Sequence, residues 1–171
     1  MKNSIAGTLR RAAGVLAAGA AIALLLPASP AAADSYGVTL VNHNSGKCLE
    51  IGGWSVQNGG GADQWDCYSG NNNQRFYVIE GWSPSDPVLL QNVHSGKCLE
   101  IADWRTDNGA PARQWDCGSG QGNQLWQRIQ VGAYRNVNSG KCLEIADWST
   151  ANGAPARQWN CGSGQANQLW W

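Results

Sequence analysis

Along residues 134–171, apolar side chains come in short bursts separated by turn-forming residues, not in helical stripes. The bursts run Tyr134 to Val137, Lys141 to Ile145, Arg157 to Cys161 and Gln168 to Trp170. Between them stand Asn138-Ser139-Gly140, Asn152-Gly153-Ala154-Pro155 and Gly162-Ser163-Gly164, which punctuate the chain as loops. None of the bursts is long enough for an amphipathic helix. The order Leu143 in, Glu144 out, Ile145 in has the period of two that marks a strand. The pattern therefore predicts about four short strands joined by tight turns.

The same pattern is written three times. NVNSGKCLEIADWSTANGAPARQWNCGSGQANQLW spans 136–170, NVHSGKCLEIADWRTDNGAPARQWDCGSGQGNQLW spans 92–126, and a more divergent NHNSGKCLEIGGWSVQNGGGADQWDCYSGNNNQRF spans 42–76. Units of about 45 residues at a fixed period mean a repeat architecture. Three are too few for an ordinary propeller, and an open solenoid would leave unpaired sheet edges at both ends. Closure into a single threefold barrel removes those edges. An all-β fold follows, with repeats at about 38–79, 88–130 and 131–171. The segment EGWSPSDP, 80–87, is the loop that widens the first interval.

Ahead of the repeats, Lys2, Arg10 and Arg11 precede an Ala-rich apolar run from Ala12 to Leu26 that ends in Ala31-Ala32-Ala33. This is the pattern of a secretory signal peptide, residues 1–33, cleaved after Ala33. The run is too short for a spanning helix, which needs about 20 apolar residues, so no membrane span is expected after cleavage. Three of the twelve Lys and Arg lie in this segment, leaving nine against twelve Asp and Glu, a net charge of −3. Nucleic acid is not an expected partner, because such binding rests on clustered cations. Ten Trp against a single Phe is a skew that core packing alone does not require.

All six cysteines fall in the repeats, 19 residues apart within each: Cys48 and Cys67, Cys98 and Cys117, Cys142 and Cys161. In an exported chain disulfides are expected. Threefold repetition allows a first-type cysteine to join a second-type one in its own unit or in a neighbour, and the intra-repeat set is the expectation. Zinc is disfavoured, since no close Cys pair exists and the two histidines, His43 and His94, lie in Asn/Ser-rich turns. No metal or other cofactor is implied.

The combination SGKCLEI, NGAPARQW and NQLW, in triplicate over nearly all of residues 34–171, resembles the ricin B-type lectin family. In that family a β-trefoil carries one Gln-x-Trp signature per repeat. The signature stands here as Gln124-Leu125-Trp126 and Gln168-Leu169-Trp170, with Gln74-Arg75-Phe76 as a departure. The resemblance implies twelve strands, six in a barrel and six in capping hairpins, with Trp126, Trp170 and Phe76 in the core. It also implies that the ring two places before the second cysteine stacks on a sugar, here Trp65, Trp115 and Trp159. Glu50, Glu100 and Glu144 would accept hydrogen bonds from sugar hydroxyls, and Asn73, Asn123 and Asn167 would complete the polar contacts. An indole face suits the C–H face of a pyranose, and an ionised acceptor makes the stronger hydrogen bonds. Asp103 and Asp147 are further loop acids that can help hold a ligand; repeat one has Gly53 in their place.

The departures admit another reading. The family's sugar-binding repeats usually carry Asp where this chain has Glu. Where the family commonly has Gln, this chain has Asp63, Arg113 and Arg157. Either arginine can salt-bridge the glutamate of its own repeat and turn the pocket into a structural ion pair. Trp54, Trp104 and Trp148 are placed either to extend the sugar platform or to form a lid over the disulfide.

Glycoside hydrolysis needs two carboxyl groups about 5–10 Å apart across one bond, and the repeated glutamates fall in separate lobes. No catalytic constellation stands out, so the chain is not expected to be an enzyme. The expected function is secreted, extracellular carbohydrate binding through up to three sites, to galactose- or xylose-type glycans or polysaccharide. The other class left open is a trefoil that binds protein, as an inhibitor or adaptor, with vestigial sugar sites.

Overall fold

A computed structural model describes residues 37–79, 83, 85–129 and 132–171. The expected signal peptide, 1–33, lies outside the described residues, as do residues 80–82 and 84 of the EGWSPSDP loop. Eleven short strands follow in order: β1 Val38–Thr39, β2 Cys48–Ile51, β3 Ala62–Trp65, β4 Arg75–Ile79, β5 Leu89–Asn92, β6 Cys98–Ile101, β7 Ala112–Trp115, β8 Trp126–Ile129, β9 Ala133–Asn136, β10 Cys142–Ile145 and β11 Ala154–Trp159. The twelfth position is reduced to a bridge between Trp170 and Asn42.

Pairing closes a ring. β1 pairs β4, β4 pairs β5, the start of β5 bridges to Trp126 at the head of β8, and β8 pairs β9. Trp170 donates its backbone N–H to Gly132, and Val41 donates to Trp171, which returns the ring to β1. Among the described residues no barrel strand is left as an edge. The hairpins β2–β3, β6–β7 and β10–β11 cap one end, and they touch one another through β3–β11, Gly61–Arg113 and Pro111–Arg157. This is the β-trefoil that the resemblance implies.

Leucine and isoleucine from the three CLEI strands, with Leu40, Leu90, Val88, Phe76, Trp126 and Trp170, fill the interior. Trp126 and Trp170 also donate their indole N–H to the carbonyls of Leu99 and Leu143, 3.1 and 3.3 Å away. Each hairpin is pinned by its own cystine, Cys48–Cys67, Cys98–Cys117 and Cys142–Cys161. A loop of this length is worth about 3 kcal/mol per bridge in the chain-entropy picture.

A buried glutamine lashes each repeat to another. Gln64 donates its amide to the carbonyls of Ser149 and Ala151, Gln114 to Ser55 and Gln57, and Gln158 to Arg105 and Asp107. Its oxygen accepts from Ser45, Ser95 or Ser139 of its own repeat. These are fully satisfied amides in a low-dielectric interior, where a half-made network would be costly.

The strand reading needs one correction. Every residue of the three CLEI strands is buried, including Glu50, Glu100 and Glu144, which the alternation had placed outward. A period of two shows only which faces alternate. The second face of each hairpin is covered by polar side chains of its own repeat.

Candidate ligand-binding site

Each hairpin presents its glutamate and its second aromatic side by side, because Cys and Trp, and Glu and the residue two before Trp, are cross-strand partners. Trp65, Trp115 and Trp159 keep 41%, 38% and 37% of their surface exposed, whereas the glutamates keep 7%, 3% and 2%. A neighbouring repeat backs each ring: the Asn-Gly turns at Gly153, Gly59 and Gly109 lie against the edges of Trp65, Trp115 and Trp159. In repeat one that turn is also tied by Asn152, which accepts from the Asp66 backbone and donates to the Asp66 carboxylate.

In repeats two and three the space between acid and ring is filled from within. Arg113 donates Nε to Glu100 Oε1 and Nη2 to Asp103, both at 2.9 Å, and its guanidinium lies 4.6 Å from the Trp115 ring centre. Arg157 does the same with Glu144, Asp147 and Trp159, at 2.9, 2.9 and 4.5 Å. Burial works against the charge of each arginine, but the bonds to the two acids outweigh it and hold both pKa values above the ordinary arginine range. The other glutamate oxygen is taken as well. Glu100 Oε2 accepts from Asn123 and Gln124, and Glu144 Oε2 from Asn167 and Gln168. Thus Glu100, Asp103, Trp115 and Asn123 are brought together around a guanidinium, as are Glu144, Asp147, Trp159 and Asn167.

Repeat one is built differently at five neighbouring positions. Asp63 replaces the arginine, Gly53 the loop aspartate and Gly52 an alanine. Tyr68 stands where Gly118 and Gly162 do, and Asn71 where Gln121 and Gln165 do. The last two changes are linked, because a Cβ on Gly118 or Gly162 would collide with the glutamine three residues on. A larger residue there displaces that glutamine, and repeat one carries the shorter asparagine. The result is an open hollow of about 370 Å³ lined by Glu50, Gly53, Trp54, Trp65, Tyr68 and Asn71. Glu50 Oε2 accepts from Gln74 at 2.8 Å, and no arginine among the described residues holds Oε1. Asn73 is buried and donates to the Ile51 carbonyl. Tyr68 and Asn71 escaped the sequence reading, although their departure from the repeat was the available signal.

The second set of aromatics lies at the rims. Trp54, Trp104 and Trp148 are about half exposed, and each has a positive φ near 55°. That is an unusual backbone for a bulky residue, and it aims the ring away from the strand that precedes it. Trp54 joins the lining of the hollow. Its edge meets His94 at 5.0 Å, so His94 is a packing contact as well as a turn residue. Asn44 and Asn138 occupy the equivalent place and donate to the Trp148 and Trp104 carbonyls.

Asp63 is pushed up to about 7, first by burial and then by the negative charge of Glu50. Its Oδ1 is buried without a donor. Pro155 pairs with it from β11 and brings no compensating charge. Between the unfolded value near 3.8 and the folded one, the native state holds a proton that the unfolded state has lost, so this group makes stability fall as pH rises from about 4 to 7. Asp63→Asn should leave the melting temperature unchanged near pH 4. Above pH 7 it should raise stability by about 1–2 kcal/mol, after discounting the shift for partial exposure. Thermal melts of both proteins across this range check it.

The buried Gln-x-Trp signatures of repeats two and three with Gln74-Arg75-Phe76 in repeat one, the closed ring and the acid–aromatic hairpins agree with the match of residues 36–170 to the ricin-type beta-trefoil lectin domain. The chain belongs to this family. As a ricin-type lectin domain it is a carbohydrate-binding module. Among solved structures it resembles the designed threefold-symmetric protein ThreeFoil at 32% identity, TM-score 0.71, over 77% of this chain and 94% of that one. It resembles an exo-beta-1,3-galactanase from Clostridium thermocellum at 31% identity and TM-score 0.71, over 80% of this chain but only 30% of that enzyme. The C-half of an earthworm R-type lectin, solved with GalNAc, shares the fold at 15% identity and TM-score 0.63, over 78% of this chain and 94% of that one. No curated protein matches. Among the described residues no group of His, Cys, Asp and Glu is placed to hold a metal, and no helix is long and apolar enough to cross a membrane.

Proposed function

We propose that this chain is an extracellular, non-catalytic lectin whose principal site is the hollow of repeat one. The observation that carries this reading is the contrast among repeats. Repeats two and three fill the space between acid and ring with their own arginine, whereas repeat one leaves Glu50 and Trp65 facing a hollow large enough for a pyranose. Pockets of roughly 300–1,000 Å³ with aromatic walls and a few polar groups are the usual ligand sites. Trp65 and Trp54 supply flat walls, Glu50 an acceptor, and Tyr68 and Asn71 further polar groups. Galactose- or xylose-type units remain the expected sugars.

Catalysis is disfavoured by the same geometry. Glu50 and Asp63 are cross-strand neighbours, but Asp63 is folded against Gly52 and does not line the hollow. No second acid therefore faces Glu50 across a bound glycoside. Three cystines support an oxidising, extracellular destination.

Calorimetry against a panel of galactosides and xylo-oligosaccharides tests the assignment. Trp65→Ala should weaken binding at least about tenfold, a loss of about 1.4 kcal/mol. The pair Trp115→Ala and Trp159→Ala should change it less than about twofold. Binding lost with the Trp115→Ala and Trp159→Ala pair and kept with Trp65→Ala would place the site elsewhere. Binding to a protein that survives all three changes would favour the adaptor class.

A further inference from the structure

Repeats two and three display what this pocket holds when it is full. A cation lies over the indole and pairs with the buried glutamate, in two independent copies with nearly the same distances. Repeat one keeps the indole and the glutamate and lacks the cation. Trp65 is therefore uncovered, and Glu50, 7% exposed, lines the hollow, bonded to Gln74 and with no arginine partner among the described residues.

The space is kept open by the substitutions around it. A Cβ on Gly52 would lie 2.6 Å from Asp63 Oδ2, so the Asp63 side chain occupies the room that the methyl of Ala102 or Ala146 takes in the other repeats. Asp63 is thereby turned out of the hollow and does not close it. Gly53 adds no side chain where Asp103 and Asp147 reach in to the arginines. The lining carries no Lys or Arg, and its one ionisable acid is Glu50 on β2; Asp63, across from it on β3, adds no positive charge.

We propose that the repeat-one hollow binds a saccharide through a free ammonium group, an amino sugar whose cation takes the place that a guanidinium fills in repeats two and three. This rests on the carbohydrate-binding reading above and names the class of sugar. A cation over an indole face and a charge-assisted hydrogen bond to Glu50 act together here, both in a partly water-excluded site. The hollow exceeds what a lone guanidinium or ammonium needs, and the additional walls from Trp54 and Tyr68 leave room for the ring that carries the amine. N-acetylation would remove the charge and add bulk at the atom that meets Glu50.

The test is calorimetry with glucosamine oligomers and their fully N-acetylated counterparts, under mildly acidic conditions that keep the amine protonated. The free-amine oligomer should bind at least about tenfold more tightly, and Glu50→Gln should abolish the difference. A triple variant, Gly52→Ala with Gly53→Asp and Asp63→Arg, gives repeat one the three residues that accompany the arginine plug elsewhere in this chain. It should fold with an unchanged melting profile or a higher one and should bind neither oligomer. Equal or tighter Trp65-dependent binding of the acetylated or other neutral sugars would overturn the ammonium assignment and leave the lectin reading standing. Absence of binding to every saccharide would overturn both.

Discussion

Trp126→Ala should cost about 3–5 kcal/mol, the largest stability loss of any single substitution considered for this chain. Trp126 is completely buried at the head of β8, between Val88 and Asn136, and its indole donates to the Leu99 carbonyl on β6. Truncation leaves a cavity among aliphatic side chains and strips a buried carbonyl of its donor. Since a domain of this size holds roughly 5–15 kcal/mol in total, the melting temperature should fall by on the order of 10 °C. Trp126→Phe should be far milder, because Phe76 occupies the equivalent place in repeat one and is equally buried without an indole N–H. Denaturant unfolding of the two variants separates volume from hydrogen bonding.

Arg113→Met should be the second most damaging change, at about 2–4 kcal/mol. It leaves Glu100 buried with Oε1 unpaired, and removing one partner of a buried pair is costly because the remaining charge stays desolvated. Arg113 is one-fifth exposed, which lowers the figure below that of a fully interior pair. Arg113→Met with Glu100→Gln should recover most of the loss, since the amide that remains needs no counter-charge. If the single and double variants unfold at the same denaturant concentration, the pair is a surface ornament and repeat two is held shut by something else.

The period, the cystine pairing and the buried Gln-x-Trp aromatics were legible in the sequence because each is a local pattern repeated three times. What covers the glutamates was not. Alternation in CLEI separates two faces but cannot say that Arg113, Asn123 and Gln124 converge on the outer one, since that depends on a cross-strand register and a turn over 20 residues away. The ion-pair alternative was visible in the residue types, and Arg113 and Arg157 form those pairs in repeats two and three. Tyr68, Asn71 and Gly52 were readable only as departures from the repeat. Their meaning lies in volume exchanges, Tyr for Gly against Asn for Gln and Asp63 against a missing methyl, which no one-dimensional pattern records. Gln64 and its equivalents looked like the polar half of a strand, yet they tie one repeat to another.

The central claim is that one of three repeats is open and two are filled by their own arginines. Titrating ¹⁵N-labelled protein with whichever oligosaccharide binds in the calorimetric panels, and following the indole N–H signals, tests it most directly. The signals of Trp54 and Trp65 should move and saturate at one equivalent, while those of Trp115 and Trp159 stay in place. Saturation at three equivalents, or movement of Trp115 and Trp159 with Trp65 silent, would contradict it.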